Sequence, residues 1–399
     1  MKILMVTPYL PYPPASGGQI RTFNLLKYLS KKNDIVLVAL YKTDHDKKYV
    51  SHLQEYCEKV YLCKRSENPW QPKNILKSLF SFQPFLIVRN FSPEAKKVLE
   101  DLLSKEHFDV IHSETFYVMP HIPQTEVPIL LVEQTIEFKV YQHFIETLPW
   151  IFRIFLALDI FKLKFWEKFY WKKASLVATV SDLDQTIVSN IESSIRPVVI
   201  PNGAGEDMLI DKLEPKDNKE TILLFQGNFS WLQNVEAANY LIEKIHPLLK
   251  KKFPRYKLII AGQHAKKIAK ENDVEYVDIE HSDTATVKRL YTTSTLFIAP
   301  IFGPGGTRLK ILAAMASGLP VISTKIGVEG LDVKDEKNVL FASTPEKFVE
   351  KISLILSSKS LYENIRKNAY KLVKEKYNWE KIAGQLEIAY QQIRSNKTV

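Results

Sequence analysis

The sequence predicts an α/β protein of two domains, each a parallel sheet wrapped by helices. Short runs of consecutive apolar residues recur along the whole chain, which suits strands buried on both faces. Stretches of helical period separate those runs, so strand and helix alternate as in βαβ units. The series pauses once, at the charged run DKLEPKDNKE (211–220), and then restarts. With 399 residues, 45% of them hydrophobic, the chain can bury two cores.

Taken in order, KILMVT (2–7) reads as a buried parallel strand, followed by the long loop PYLPYPPASGGQIR and a helix over Ile20–Ser30. The G-x-G-x-x-G fingerprint of dinucleotide-binding domains is absent from that turn. Further strands are expected at Ile35–Leu40, Lys59–Cys63, Phe108–His112, Ile129–Val132 and Leu176–Val180. Residues 64–100 are less regular, with basic and aromatic residues interleaved. After Ser181-Asp182, a plausible helix start, a helix runs to about Glu192; a short strand and a P-N-G turn follow. The second series has strands at TILLFQ, Lys257–Ala261, Val274–Val277, Thr295–Ile301 and Pro320–Ser323. Gly227, just past the first of these, allows a close approach to the backbone. The last stretch, Trp379–Ile393, carries apolar residues at Ile382, Leu386, Ile388, Ala389 and Ile393, one face of a helix.

The most informative stretch is residues 295–331. A strand runs into the loop Gly303-Pro304-Gly305-Gly306, and a helix opens near Thr307 and closes at Gly318. Glycines let the backbone approach a ligand, and the free N–H groups of a helix start favour an anion. Arg308 adds a planar donor fork and Lys310 a second positive charge; two positions apart, they do not share a helical face. The plainer reading is a strand–helix–strand unit whose loop simply needs glycine.

Composition limits the partners. The formal charge is +10, with 55 basic against 45 acidic residues, a balance that fits anionic ligands or an anionic membrane surface. No nucleic-acid motif accompanies it, so nucleic acid is not expected as a partner. Cys57 and Cys63, if on one strand, lie roughly 20 Å apart and cannot bridge; they read as reduced core residues of a cytoplasmic protein. The apolar run Ile3–Val6 is too short for a signal peptide, and no stretch is long enough to span a bilayer. Residues 145–173 are the most aromatic part. They form either a buried helix or an interfacial segment with Trp150, Trp166 and Trp171 at the headgroups and Lys162, Lys164, Lys168, Lys172 and Lys173 on anionic lipid. No H-x-x-x-H or C-x-x-C spacing points to a metal.

Residues 305–321, GGTRLKILAAMASGLPV, resemble the retaining glycosyltransferases of family 4, especially a subset whose donor loop reads G-G-T-R-x-K-x-x-E-A-M-A-x-G-x-P-V. Elsewhere V-x-P-N-G (199–203) and Gly227, Trp231 and Asn234 of a G-x-x-x-W-x-P-N pattern are similar too. The resemblance implies the GT-B fold: two Rossmann-like βαβ domains facing across a cleft, an acceptor-side domain over 1–196, a nucleotide-sugar domain over 197–377, and a terminal helix over 378–399 crossing back to the first. It implies a nucleotide-sugar donor bound by Gly17, Gly18, Gly227, Gly305, Gly306, Thr307, Arg308, Lys310 and Glu329. The segment 277–283, VDIEHSD, occupies the place where the family contacts the nucleotide base. Arg308 and Lys310 would neutralise the diphosphate leaving group without a metal or other cofactor. Glu133 and Glu137 match the family's E-H-N-x-E, with Gln134 and Thr135 departing from it. Glu133 is then a candidate acid/base group, and Arg21, His112, Gln134 and Glu137 stand on the acceptor side; for His112 a core position is equally open. A glycan or polyprenol-linked acceptor, in cell-surface polysaccharide assembly at the inner face of the membrane, follows from the same resemblance. Two departures matter. Ala313 stands where the family has a ribose-gripping glutamate, and Gly305 where many members have a second one. They leave a non-catalytic GT-B protein that binds a nucleotide sugar or a partner enzyme as the alternative, with a sugar-nucleotide epimerase as a further rival.

Overall fold

The computed structural model describes residues 1–205, 208–214, 220–268, 271–280, 283–303 and 307–395, without the side chains of 151, 152, 154 and 155. The chain divides into two compact units, Met1–Pro201 with Glu380–Val399, and Asn202–Trp379.

The first unit holds a seven-stranded sheet of β1 (Lys2–Thr7), β2 (Asp34–Tyr41), β3 (Lys59–Lys64), β4 (Val110–Glu114), β5 (Ile129–Glu133), β6 (Leu176–Thr179) and β7 (Val198–Val199). All pairings are parallel, in the order β3-β2-β1-β4-β5-β6-β7. Ile3 to Val6 and Ile35 to Leu40 are fully buried, so these strands need no polar face and read as unbroken apolar runs. The order reverses beside β1, and in open parallel sheets ligands bind beyond the strand C-termini at such a reversal. The helix from Trp379 into Ser395 returns to this unit. Glu387 accepts from Asn33 Nδ2 at 3.1 Å, and Arg394 pairs with Asp109 at 3.2 Å. Ile382, Leu386, Ala389 and Ile393 of its expected apolar face are buried, whereas Ile388 is exposed.

The second unit repeats the plan with six strands: β8 (Ile222–Gln226), β9 (Lys257–Gly262), β10 (Glu275–Asp278), β11 (Leu296–Ala299), β12 (Val321–Ser323) and β13 (Leu340–Phe341). Their order is β10-β9-β8-β11-β12-β13, again parallel, with the reversal beside β8. Fold class is as the sequence predicts.

The aromatic stretch forms one helix, Trp150–Lys173, and the structure corrects its expected membrane-facing set. Trp171 is fully buried, donating its indole N–H to Glu133 at 2.8 Å. Lys162 is buried too, its ammonium satisfied by the carbonyls of Ser78 and Ser81 at 2.7 and 2.9 Å. Both cysteines are buried and unbridged. Among the described residues, no helix is long and apolar enough to cross a membrane.

Candidate functional site

In the second unit the site begins where β8 ends. Gly227 is buried, and a Cβ there would lie 2.9 Å from Lys310 Nζ and 3.0 Å from the Asn234 side chain. Glycine thus leaves room for the lysine to lie across the end of the strand. Lys310 donates to Asn234 Oδ1 at 2.5 Å, and its ammonium stands 4.9 Å from the Phe225 ring centroid. Burial, and then the neighbouring Arg308, pull its pKa down to about 7. Among the described residues no carboxylate pairs with it. Lys310 sits in the first turn of the helix Leu309–Ala316, which has neither a side-chain cap nor an acidic residue in that turn. The uncapped N–H groups and the ammonium therefore present positive charge together. Arg308, the residue before the helix, donates to Gly303 O at 2.7 Å, and Thr307 is nearly buried. Glu329 is exposed, after the short turn Ile326–Val328. Gly305 and Gly306 lie outside the described residues. Ala313, half-buried on the same helix, packs against the core.

In the first unit the strand ends gather around Glu114, which the sequence reading passed over. His112 and Glu114 are two apart on β4 and so share a face. His112 Nε2 meets Glu114 Oε1 at 3.0 Å, and its Nδ1 meets the Tyr390 hydroxyl at 2.5 Å. Because an ionised carboxylate only accepts, the Nε2–H of His112 donates to Glu114. Gln134 donates through Nε2 to Glu114 Oε2 and, at 2.7 Å, to the Tyr9 hydroxyl. Arg21 Nε lies 3.8 Å from Glu114, and its Nη1 donates to the carbonyls of Ile200 and Pro201 at 3.1 and 2.9 Å. Burial opposes ionisation of Glu114, but the His112 hydrogen bond and charge, then Arg21 and Gln134, hold its carboxyl below the ordinary value. Gly18 packs onto this group: a Cβ there would meet Tyr9 Oη at 2.5 Å and Gln134 Oε1 at 2.7 Å. Gly17, beside it, is exposed.

This unit therefore joins Gly18, Arg21, His112 and Gln134, but the roles expected of Arg21 and His112 are corrected. Both are fully buried; they brace Glu114 rather than face solvent as acceptor contacts. Glu133 is corrected likewise. Its carboxyl is fully buried beneath Trp171, and burial, then the neighbouring Glu167, raise its pKa well above the usual range. A sealed carboxyl whose charged form is disfavoured by burial is not a base at an open site. Glu137 is half-buried at the start of the helix Glu137–Glu146, and burial raises its pKa to about 7 against the opposing charge of Arg89. The signal that could have revealed Glu114 was the H-x-E at the end of a predicted strand, with both side chains on one face.

Residues 220–358, from just before β8 to the helix after β13, match the family described as glycosyl transferases group 1. Over 396 residues the chain is 23% identical to an uncharacterized protein in a cps region of Klebsiella pneumoniae, covering 96% of this chain and 97% of that one. Over 174 residues it is 28% identical to an uncharacterized glycosyltransferase of Methanocaldococcus jannaschii, covering 41% and 43% of the two chains. Sucrose-phosphate synthase from Thermosynechococcus elongatus has the same fold, with a TM-score of 0.74 over 99% of this chain and all of that one (100%), at 16% identity. Anabaena HepE, solved in complex with UDP-glucose, superposes with a TM-score of 0.64 over 98% of this chain and 100% of that one, also at 16% identity. The architecture is thus GT-B, and the family match and the named relative support a transferase enzyme. Within the matched residues 220–358 lie Gly227, Lys310, Arg308, Thr307 and Glu329.

Proposed function

We propose that the protein is a retaining glycosyltransferase of family 4 that moves a sugar from a nucleotide-sugar donor to a glycan or polyprenol-linked acceptor in polysaccharide assembly. The observation that carries the reading is Lys310, laid over Gly227 at an uncapped helix start with no carboxylate partner among the described residues. Such a site attracts a diphosphate and stabilises the charge that develops on it as the sugar departs. Binding that anion would return the ammonium to its charged form. Arg308 and the loop at 305–306 would share the load, so no metal is required. The acceptor hydroxyl would approach the anomeric carbon from the face the diphosphate leaves, which retains the configuration. UDP-glucose in HepE and the cps region of the Klebsiella relative support the donor class and the pathway.

Ala313 weakens the donor site without removing it. A glutamate there would accept from two ribose hydroxyls at roughly 1.5–3 kcal/mol per charged bond. Calorimetric titration with UDP-, GDP-, ADP- and dTDP-glucose, on the parent and on Lys310→Ala, tests the reading. One nucleotide class should bind the parent, and the variant should bind it roughly 10- to 100-fold more weakly, the loss of one charged hydrogen bond. No binding of any of the four to the parent would sink the donor assignment. Binding with no transfer to any acceptor would instead favour the non-catalytic alternative, which the replacements at 305 and 313 motivate.

For its location we propose a cytoplasmic enzyme resting on an anionic bilayer surface. Leu79 and Phe80 at the end of the helix Pro72–Phe80, Phe82 just after it, and Phe161 and Phe165 on the helix Trp150–Lys173 are exposed, and the Phe82 and Phe165 rings, 4.9 Å apart, join the two helices' apolar residues into one patch. Exposed Lys73, Lys77 and Lys164 belong to the same two helices, the arrangement expected of an interfacial surface. Sedimentation with vesicles should show binding to anionic but not zwitterionic lipid, reduced in Leu79→Ser/Phe80→Ser; parent protein left in the supernatant with both would overturn this.

A further inference from the structure

Three cations stand together on the first unit, apart from the groups described so far. β2 and β3 pair up to Tyr41 and Lys64, and Arg65 N–H donates to Tyr41 O at 3.0 Å. Lys42 and Arg65 are thus the residues that leave these neighbouring strands at their C-terminal ends, the edge where parallel sheets bind ligands. Arg89 is on the helix Phe85–Asn90, and its chain neighbour Asn90 accepts from Arg65 Nη1, which brings that helix end to Arg65. Burial, then Arg65 and Arg89, lower the Lys42 pKa; burial brings Arg65 down to about 10, with Arg89 adding to the effect. The three therefore sit close enough to repel one another.

The neighbourhood does not settle that repulsion. Arg65 Nη1 donates to the Asn90 amide oxygen, a neutral partner. The Nε atoms of Arg65 and Arg89 are buried and have no acceptor among the described residues. Of the nearby acids, Asp46 already accepts the backbone N–H groups of Lys42 and Thr43 at 3.3 and 3.1 Å. Glu137, opposite Arg89, is held near neutrality by its own burial. The phenols of Tyr117 and Tyr141 complete the surroundings, Tyr141 in hydrogen-bond contact with Arg89. Yet the group is reachable: Lys42 is exposed and both arginines are half-buried. Arg89 also lies over the Phe85 ring at 5.8 Å, and Phe85 stacks on exposed Trp70 at 5.0 Å, an apolar platform beside the charge.

We propose that Lys42, Arg65 and Arg89 form an oxyanion subsite that takes a phosphoryl group carried by the acceptor. Like charges gathered on three elements, with guanidinium N–H groups left over, match a dianion whose several oxygens can accept from all three; a carboxylate has only two. The flanking aromatic faces suit the ring of a sugar attached to that phosphate. That the phosphate belongs to an acceptor rests on the transferase reading; the anion site itself does not, since its residues are not those of the donor site.

The test is titration of the full chain with inorganic phosphate and with glucuronate, at ionic strength matched with chloride, followed by calorimetry and by melting temperature. Phosphate should bind and raise the melting temperature, and Arg65→Gln/Arg89→Gln should weaken that binding at least about tenfold, as for the loss of charge-assisted hydrogen bonds. Lys310→Ala, the donor-site control, should leave this event in place. Phosphate binding unchanged in the double variant, abolished by Lys310→Ala alone, or matched in full by glucuronate would each overturn the proposal. Should the double variant fail to fold, Lys42→Gln at its exposed position should still weaken phosphate about threefold, by partial loss of a screened charge; an unchanged affinity would overturn the site. Nucleotide-sugar binding that persists in the arginine variants separates failure of this subsite from failure of the donor reading.

Discussion

The strand ends beside β1 and those beside β8 occupy equivalent places in two similar sheets, yet they handle charge in opposite ways. Beside β1, Glu114 is enclosed by His112, Gln134 and Arg21, and Arg21 is tied to the carbonyls of Ile200 and Pro201. Every charge there is matched inside the unit, which costs solvation but fixes Gly18 and Gln134 in one geometry. Beside β8, Lys310 has a neutral amide and an aromatic ring for company, and burial, then the neighbouring Arg308, takes part of its ammonium's charge. The first arrangement holds a shape. The second leaves its ammonium without a carboxylate partner among the described residues, as the proposed donor reading requires. The difference predicts that mutations in one will be felt as stability and in the other as ligand binding.

The largest effect should come from Arg21→Ala. The change removes the guanidinium 3.8 Å from Glu114 and its hydrogen bonds to Ile200 and Pro201 from a fully buried side chain. Breaking a buried pair by deleting one partner costs about 3–5 kcal/mol, read as a lower midpoint in urea unfolding. Nucleotide-sugar affinity measured well below that midpoint should change far less. A loss under about 1 kcal/mol, the scale of an exposed pair, would break the comparison, because Arg21 would then not be bracing Glu114.

That contrast also explains what was legible in the sequence. The strands were, because unbroken apolar runs such as Ile3–Val6 and Ile35–Leu40 arise wherever both faces of a sheet are covered. β13 was not, since Leu340–Phe341 is too short to show any period. The candidate site beside β8 was legible because its described parts, Gly227 aside, fall within one helix start. The cluster beside β1 was only half legible. Arg21 finds its acceptors at Ile200 and Pro201, and His112 finds Tyr390, so their roles are set by residues far along the chain. Lys42 and Arg65 become neighbours only through the register of β2 and β3. The helix Trp150–Lys173 misled for a related reason. Its aromatics lie on all sides, and only tertiary partners decide which turn inward: Glu133 takes Trp171, while the Phe82 carbonyl takes the half-buried Trp166 at 2.7 Å.

The smaller effect sharpens the comparison from the side of β8, through pH. Lys310 titrates near 7 in the folded protein, against an ordinary value of 10.5. Between those limits the unfolded chain binds a proton that the folded chain does not, so stability rises with pH across that window. Below about pH 7 both states are protonated, and the cost of holding the charge out of water is fully present. Lys310→Met keeps the length of the side chain and removes the titration. Unfolding free energies of parent and variant, measured from pH 6 to pH 10, should therefore converge as pH rises, the parent gaining on the variant. Saturating nucleotide sugar should flatten the difference, because the bound diphosphate keeps the ammonium charged. Curves that run parallel without ligand would mean that Lys310 keeps its charge in the free protein, and the strand ends beside β8 would then be compensated after all, like those beside β1.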